Sequence, residues 1–414
     1  MSVLGGRRLG AAAVLALAVA GCEEHLTQPG DCPELCPGGI PQALEELLTA
    51  LPGRDTSFTG YVAKASNGVL LVSSGVPTAA DTNLAVIEFG RRPDSIQFRD
   101  TLRAFTIDSI RLSVGLIARD TAVRNLQVLL YRLPSNPDTT ALTYAGVSPS
   151  FTPANLIAAI PVADSLARGD VPVVFKDSAA LARLAFAPGD SNRLVMGVAV
   201  AAPVPTGIRI GTFTTSVPPT FTTYVKPIAE NPGNTSQVLP SGVQFNTYVS
   251  RAEPPPDPLR LTVGGAPSSR ALIRFPWSAK LRDSVTIVRA TLELVPAEPV
   301  RGLPHDPGTL EADVIASDLG AKSPVCPASL PCGGTLITRI GQIPLPAGTT
   351  DTVRVEVTSQ VRAWQGSTPA PPAVFVSITP EAATFTEAVF GSTRSGAPAR
   401  LRVDYQPRFP FQTP

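Results

Sequence analysis

Thr286-Ile287-Val288-Arg289-Ala290-Thr291-Leu292-Glu293-Leu294 alternates apolar and polar side chains, and Thr106-Ile107-Asp108-Ser109-Ile110-Arg111-Leu112-Ser113-Val114 follows the same pattern without a gap. A period of two marks a strand with one dry and one wet face. It turns Ala290, Leu292 and Leu294 inward with Thr291 and Glu293 opposite, and gives Ile110, Leu112 and Val114 the same places. Val353, Val355 and Val357 alternate likewise with Arg354 and Glu356. A sheet buried on one side needs a covering layer, and the scarcity of long helical patterns leaves only a second sheet to supply it. The fold class is therefore all-β, with antiparallel β-sandwiches.

The two stretches belong to a longer internal repeat. Phe58-Thr59-Gly60-Tyr61-Val62-Ala63-Lys64-Ala65 returns as Phe245-Asn246-Thr247-Tyr248-Val249-Ser250-Arg251-Ala252. Leu84-Ala85-Val86-Ile87-Glu88-Phe89 returns as Arg270-Ala271-Leu272-Ile273-Arg274-Phe275, and Ile210-Gly211-Thr212 as Phe390-Gly391-Ser392. Pro219 to Val225 corresponds to the stretch from Pro398 to Asp404 or Tyr405. Collinear matches at an offset of about 180 to 190 residues indicate tandem duplication. The expected organisation is a signal at 1–21, a tether at 22–54, a first sandwich at 55–228, a linker at 229–241, a second sandwich at 242–407 and a tail at 408–414. Within the tether, Leu44, Leu47, Leu48 and Leu51 lie on one side of a short helical pattern from Gln42 to Leu51. Ser178–Leu184 and Thr358–Trp364 break the β pattern once in each copy. Both read as single helical turns that bury Leu181 and Leu184, or Val361 and Trp364.

The chain opens with Arg7 and Arg8 before an apolar stretch from Leu9 to Ala20. That is the pattern of a secretory signal, and it is shorter than the roughly 20 residues that a membrane-spanning helix needs. Val19-Ala20-Gly21-Cys22 follows and resembles the bacterial lipobox. The resemblance implies lipid on Cys22 and cleavage before it, so that lipid is the membrane attachment; Glu23, where an aspartate would retain such a protein, implies sorting to the outer membrane. Four cysteines remain, and an exported chain can oxidise them. Local pairing joins Cys32 with Cys36 and Cys326 with Cys332, one of three possible connectivities. The spacings are not those of a zinc site, and the chain has only two histidines, His25 and His305.

The second copy is similar to the DNRLRE-domain family, bacterial β-sandwich modules grouped with carbohydrate-binding modules. The likeness rests on Gly264-Gly265 before a strand ending in Arg274-Phe275, on Ala290-Thr291-Leu292-Glu293-Leu294, on Val357-Thr358 leading through Val361 to Trp364, and on Gly391-Ser392 before Pro398 to Tyr405. The nominal Asp-Asn-Arg-Leu-Arg-Glu string is absent, and the first copy departs further, with Glu88-Phe89 for Arg-Phe and Leu184 for the tryptophan. The resemblance implies a jelly-roll-like sandwich that binds polysaccharide or serves as structure at a surface.

A formal net charge of +1 and no basic stripe argue against a nucleic-acid partner. No Ser-His-Asp set, zinc-protease helix, nucleophile elbow or phosphate loop is present, so no catalytic residue, metal or cofactor is assigned. Paired carboxylates leave a polysaccharide-acting enzyme as the remotest alternative. Sugar binding needs exposed flat rings. Trp277, Tyr131 and Tyr144, each present in one copy only, are the candidate platforms, and Asp306 is a candidate ligand for a structural calcium. The expected function is a non-catalytic surface lipoprotein that presents two sandwiches to an envelope protein or serves as structure. Polysaccharide binding is the alternative, and only 6% aromatic content weighs against it.

Overall fold

In the computed structural model the Val285–Leu294 strand sits centrally in a four-stranded sheet ordered Leu44–Thr49, Arg400–Pro407, Val285–Leu294, Val353–Glu356. The structure describes residues 43–408 apart from 61, 66–67, 79, 135–141, 187–192, 230–235, 252–256, 327–330, 333–334, 337–340 and 367. Ala290, Leu292 and Leu294 are buried in the core as their alternation predicts, together with Val353, Val355 and Val357. Outward Glu293 sits between Arg354 and Arg402, whose Nε atoms lie 3.4 and 3.5 Å from its Oε1.

A seven-stranded sheet covers this layer in the order Gly341–Leu345, Gly308–Val314, Ala373–Thr379, Ser269–Arg274, Arg260–Gly264, Glu387–Gly391, with Thr56–Thr59 also on Ser269–Arg274. The first copy repeats this plan in one curled sheet of eleven strands. Its long Phe105–Arg119 strand pairs with Thr220–Pro227 and Gly169–Phe175 in one layer and with Thr206–Gly211 in the other. The fold is all-β, built of curled antiparallel sheets around two hydrophobic cores.

Register supports the duplication more finely than residue identity does. In the first copy Tyr224 faces Ser109 and Val225 faces Ile107, with a bulge between them. In the second, Asp404 faces Arg289 and Tyr405 faces Ile287, with the bulge in the same place. One offset relates all four pairs, so the counterpart of Tyr405 is Val225 and that of Tyr224 is Asp404.

The leading segments of the two copies lie where their sequences do not predict. Val243–Ser250, expected to open the second sandwich, pairs with Asn83–Phe89 of the first, with Tyr248 opposite Ala85. Gln237–Ser241, expected in the linker, is a strand on Thr220–Pro227. Conversely, Thr56–Thr59 pairs with Ser269–Leu272 of the second copy, with Ser57 opposite Ala271. Asn83–Phe89 and Ser269–Arg274 thus each take a partner from the leading segment of the other copy. The chain leaving Thr220–Pro227 folds back onto the domain it has just completed, and the first leading segment fills the equivalent place at the far end.

This also accounts for the segment expected to be helical. Leu44–Thr49 is a strand next to Arg400–Pro407. The Ala50 amide donates to Ala399 O at 3.0 Å and the Leu51 amide to Arg274 O at 2.8 Å. Helix preference among ordinary residues is worth only tenths of a kcal/mol per position. A ladder that also buries Leu48 and Ala50 outweighs it.

The helical turns form as expected, at Ser178–Arg183 and at Thr358–Arg362 followed by a 3-10 turn at Ala363–Gln365. Leu184, Val361 and Trp364 are fully buried and Leu181 packs half-buried.

Glu45 onward forms one compact unit. Ala266, Leu303 and Phe385 of the second domain lie in the core of the first. The Phe385 ring sits over Gly207, where any Cβ would come within 2.7 Å of it. Buried Tyr248 donates through its hydroxyl to Ala382 O at 2.9 Å, and Arg209 meets Asp306 at 2.5 Å. An apolar joint with such bonds ties the two cores into one body.

Candidate functional site

Both domains cover part of the outward face of one sheet, the one that contains Asn83–Phe89 in the first domain and Ser269–Arg274 in the second. In the first, the turns at Tyr144–Val147 and Ser148–Ser150 lie over Leu84, Val86, Val195 and Val249. In the second, Ile315 and Val325 lie over Leu272, Ala373 and Phe375, beside Phe58. Next to Val325 in the chain, Cys326 turns to the opposite side and forms a disulfide with Cys332 within the second core, with Cα atoms 5.8 Å apart.

These covers decide where the expected aromatics go. Tyr144 is part of the first cover and Tyr131 lies beneath it, both half-buried, Tyr131 with its ring 4.8 Å from Phe151. Burial pushes the Tyr131 hydroxyl pKa up. Trp277 is half-buried and edge-on to Trp364, centroids 5.1 Å apart. The three rings stand in two separate clusters and share no face. Cys22, Cys32, Cys36, His25 and Tyr61 lie outside the described residues.

The cover of the second domain stops short of part of its sheet and leaves a groove of about 180 Å³. Its walls come from three adjacent strands. Register places Glu311 opposite Ser377 and Asp313 opposite Phe375, and Arg270 lies across the Ala373–Thr379 strand from them. Arg270 makes two bonds of 2.5 Å to the Glu381 carboxylate, which together with that charge hold its pKa above the usual value. Thr379 donates to Glu311 Oε1 at 2.9 Å. The Asp313 carboxylate has no hydrogen bond or ion pair among the described residues. Its pKa is raised to about 6, first by burial and then by the charges of Glu311 and Glu381, against the opposing pull of Arg270.

The first domain shows what this position holds when only packing is required. Counted through the same registers, Leu84 stands for Arg270, Leu129 for Glu311, Tyr131 for Asp313 and Ala199 for Ser377. Gly197 stands for Phe375 and lets Phe151 enter from the cover, since a Cβ there would lie 2.5 Å from that ring. Sequence reasoning missed the groove because its residues are scattered over more than a hundred positions. Comparing outward positions of the two copies, apolar in one and charged in the other, would have signalled it.

A second, wider cleft of about 700 Å³ lies between the domains, lined by Val123, Val204, Leu303, Pro304, His305 and Asp120, among others. Asp306 beside it is paired with Arg209; burial raises its pKa while Arg209 opposes the rise. Among the described residues no three His, Cys, Asp or Glu side chains could hold a metal ion, and no helix is long and apolar enough to cross a membrane.

No family model and no curated protein matches the chain. Among solved structures, "Structure of infectious bursal disease virus Gx strain" aligns at 12% identity over 90% of this chain and 79% of that one, with a TM-score of 0.12. "The 2.6A structure of Infectious Bursal Virus Derived T=1 Particles" aligns at 11% identity over 89% and 76%, also with a TM-score of 0.12. Scores this low carry no argument about fold or function.

Proposed function

We propose that this protein is a non-catalytic lipoprotein of the cell envelope, anchored to the outer membrane through lipid on Cys22, which presents its two sandwiches as one rigid unit in a structural or protein-binding role. The observation that carries the reading is the closed construction of the body. Phe385 sits in the core of the other domain, and each domain takes an edge strand from the other copy. Close packing at this joint opposes movement of one domain against the other. The covered sheets and half-buried Tyr131, Tyr144 and Trp277 favour this role over polysaccharide binding. The likeness of the second copy to DNRLRE-domain modules is compatible with it, since a sandwich scaffold does not by itself fix a ligand.

The test has two arms. Intact mass of the membrane-extracted chain is expected to show loss of residues 1–21 and a diacylglycerol on Cys22, and Cys22→Ser to release the chain from membranes. A glycan array probed with the full chain in detergent is expected to stay blank. Glycan binding lost in Trp277→Ala or Tyr131→Ala would make the protein a sugar-binding module instead.

A further inference from the structure

Three features of the groove in the second domain point the same way. Among the described residues its charge is unbalanced: Glu311, Asp313 and Glu381 line it with one guanidinium, and that group, on Arg270, is already engaged by both oxygens of Glu381. Its floor holds an unused polar group, because Ser377 is only 7% exposed, lines the cavity and has no hydrogen-bond partner among the described residues. The Ser377 hydroxyl is available to a group that enters the groove. Its walls include Phe375 and Val325, so an alkyl chain entering between them stays in apolar contact.

We propose that this groove recognises a protonated alkylamine, with the ammonium between Asp313 and Glu311, a hydrogen bond to Ser377 Oγ, and the alkyl chain against Phe375 and Val325. An ammonium offers three donors and accepts nothing, which matches two carboxylates and a hydroxyl. An anion is repelled by the excess negative charge. A divalent metal would need ligands converging at 2.3–2.6 Å or closer, and no such set of three exists among the described residues. A neutral polyol would leave both carboxylates uncompensated. The equivalent place in the first domain, filled by Leu84, Leu129, Tyr131 and Ala199, shows that the fold itself does not require these charges.

The test is isothermal titration of the full chain in detergent micelles with n-butylammonium chloride and with Nα-acetyl-lysine N-methylamide at about pH 7.5. Both probes are expected to bind, with affinity falling about tenfold or more in Asp313→Asn and in Glu311→Gln. Binding should also weaken at about pH 5 as Asp313 protonates. The charged groups facing Asp313 are Glu311 on its own strand, Arg270 on Ser269–Arg274 and Glu381 in the turn after Ala373–Thr379. Tighter binding of the lysine derivative would assign the site to a lysine side chain of a polypeptide, and equal affinities to free amines. The proposal is overturned by no heat from either probe at about 10 mM, by binding unchanged in both variants while thermal melts show them folded, by n-butanol binding as tightly as n-butylammonium, or by calcium chloride displacing the amine.

Discussion

The two domains differ at the point where one strand passes from layer to layer. In the first, Leu116 stands opposite Ile210, and the Phe105–Arg119 strand runs on through Arg119 to join both layers in one sheet. In the second, Pro296 stands opposite Phe390 in the corresponding place, the strand ends at Leu294, and only isolated bridges at Pro296 and Arg301 remain. Proline has no amide hydrogen and a fixed φ, so it cannot carry a ladder between two neighbours. The bonds that remain come from the residues flanking Pro296, with the Gly391 amide on Val295 O at 2.9 Å and the Ala297 amide on Val389 O at 2.8 Å. Beyond them the continuous sheet of the first domain gives way to two stacked sheets on the same plan. The second domain has a free layer to hold in place, and the Leu44–Thr49 strand from the other end of the chain lies on its edge.

That difference makes removal of the arm the most damaging change. Deleting residues 44–59 takes Leu48 and Ala50 from the second core and unpairs the edges of Arg400–Pro407 and Ser269–Arg274. A loss of at least about 4 kcal/mol is expected, comparable with emptying a large core position. Trp277 and Trp364 are the only tryptophans and both lie in the second domain. Their fluorescence should therefore report early melting there while far-UV circular dichroism retains the first domain. Coincident, unshifted transitions would mean that the arm does not hold the second domain together.

The crossover itself can be exchanged between the copies. Leu116→Pro breaks the ladder at a fully buried position and is expected to cost about 3 kcal/mol or more by chemical denaturation. Pro296→Leu restores an amide where the sheet has already divided and should change stability by less than about 1 kcal/mol. Equal effects would show that the division between layers has another cause.

Much of this comparison could be read from the chain before its structure, and the reason is periodicity. Alternation at Thr286–Leu294 and Val353–Val357 names the buried face of a strand, and helical turns at Ser178 and Thr358 stand out because they interrupt it. Alternation does not say which sheet edge receives the strand. Val243–Ser250 and Thr56–Thr59 therefore carried no mark of their exchange, and even their registers differ, with Tyr248 opposite Ala85 but Ser57 opposite Ala271. The leucines of 44–51 suggested a helix because the partner that makes them a strand lies more than 350 residues away. The groove was hidden for a similar reason, since Arg270, Asp313 and Ser377 converge only through strand pairing.

The covers offer a smaller test. Gly197→Ala in the first domain drives a methyl toward the Phe151 ring, which must move together with the turns at Tyr144–Ser150. Overpacking of this kind is expected to cost about 1–3 kcal/mol. Loss of amide protection should concentrate at residues 144–151 and leave the Ile315 and Val325 cover of the second domain unchanged. Protection lost across the whole first domain would show that its cover is part of the folding core.

The smallest effect concerns the charge that replaces Tyr131 in the second copy. Asp313 has its folded pKa raised to about 6 against an ordinary 3.8, so the folded state holds a proton that the unfolded state releases earlier. The sign follows from linkage: stability falls as pH rises from about 4 to about 6, and the penalty is constant above that window. Asp313→Asn removes the penalty and should stabilise the protein at pH 7 by about 1 kcal/mol, the full shift being discounted because the side chain keeps some contact with solvent. The gain should shrink toward zero at about pH 4, which distinguishes relief of a buried charge from better packing, since improved packing would persist at every pH. Tyr131→Phe in the first domain should show no pH dependence in this window, because a phenol whose pKa is pushed up from 10 stays protonated throughout. A stabilisation of Asp313→Asn that is the same at pH 4 and pH 7 would remove the electrostatic contrast between the two copies and leave only the difference in shape.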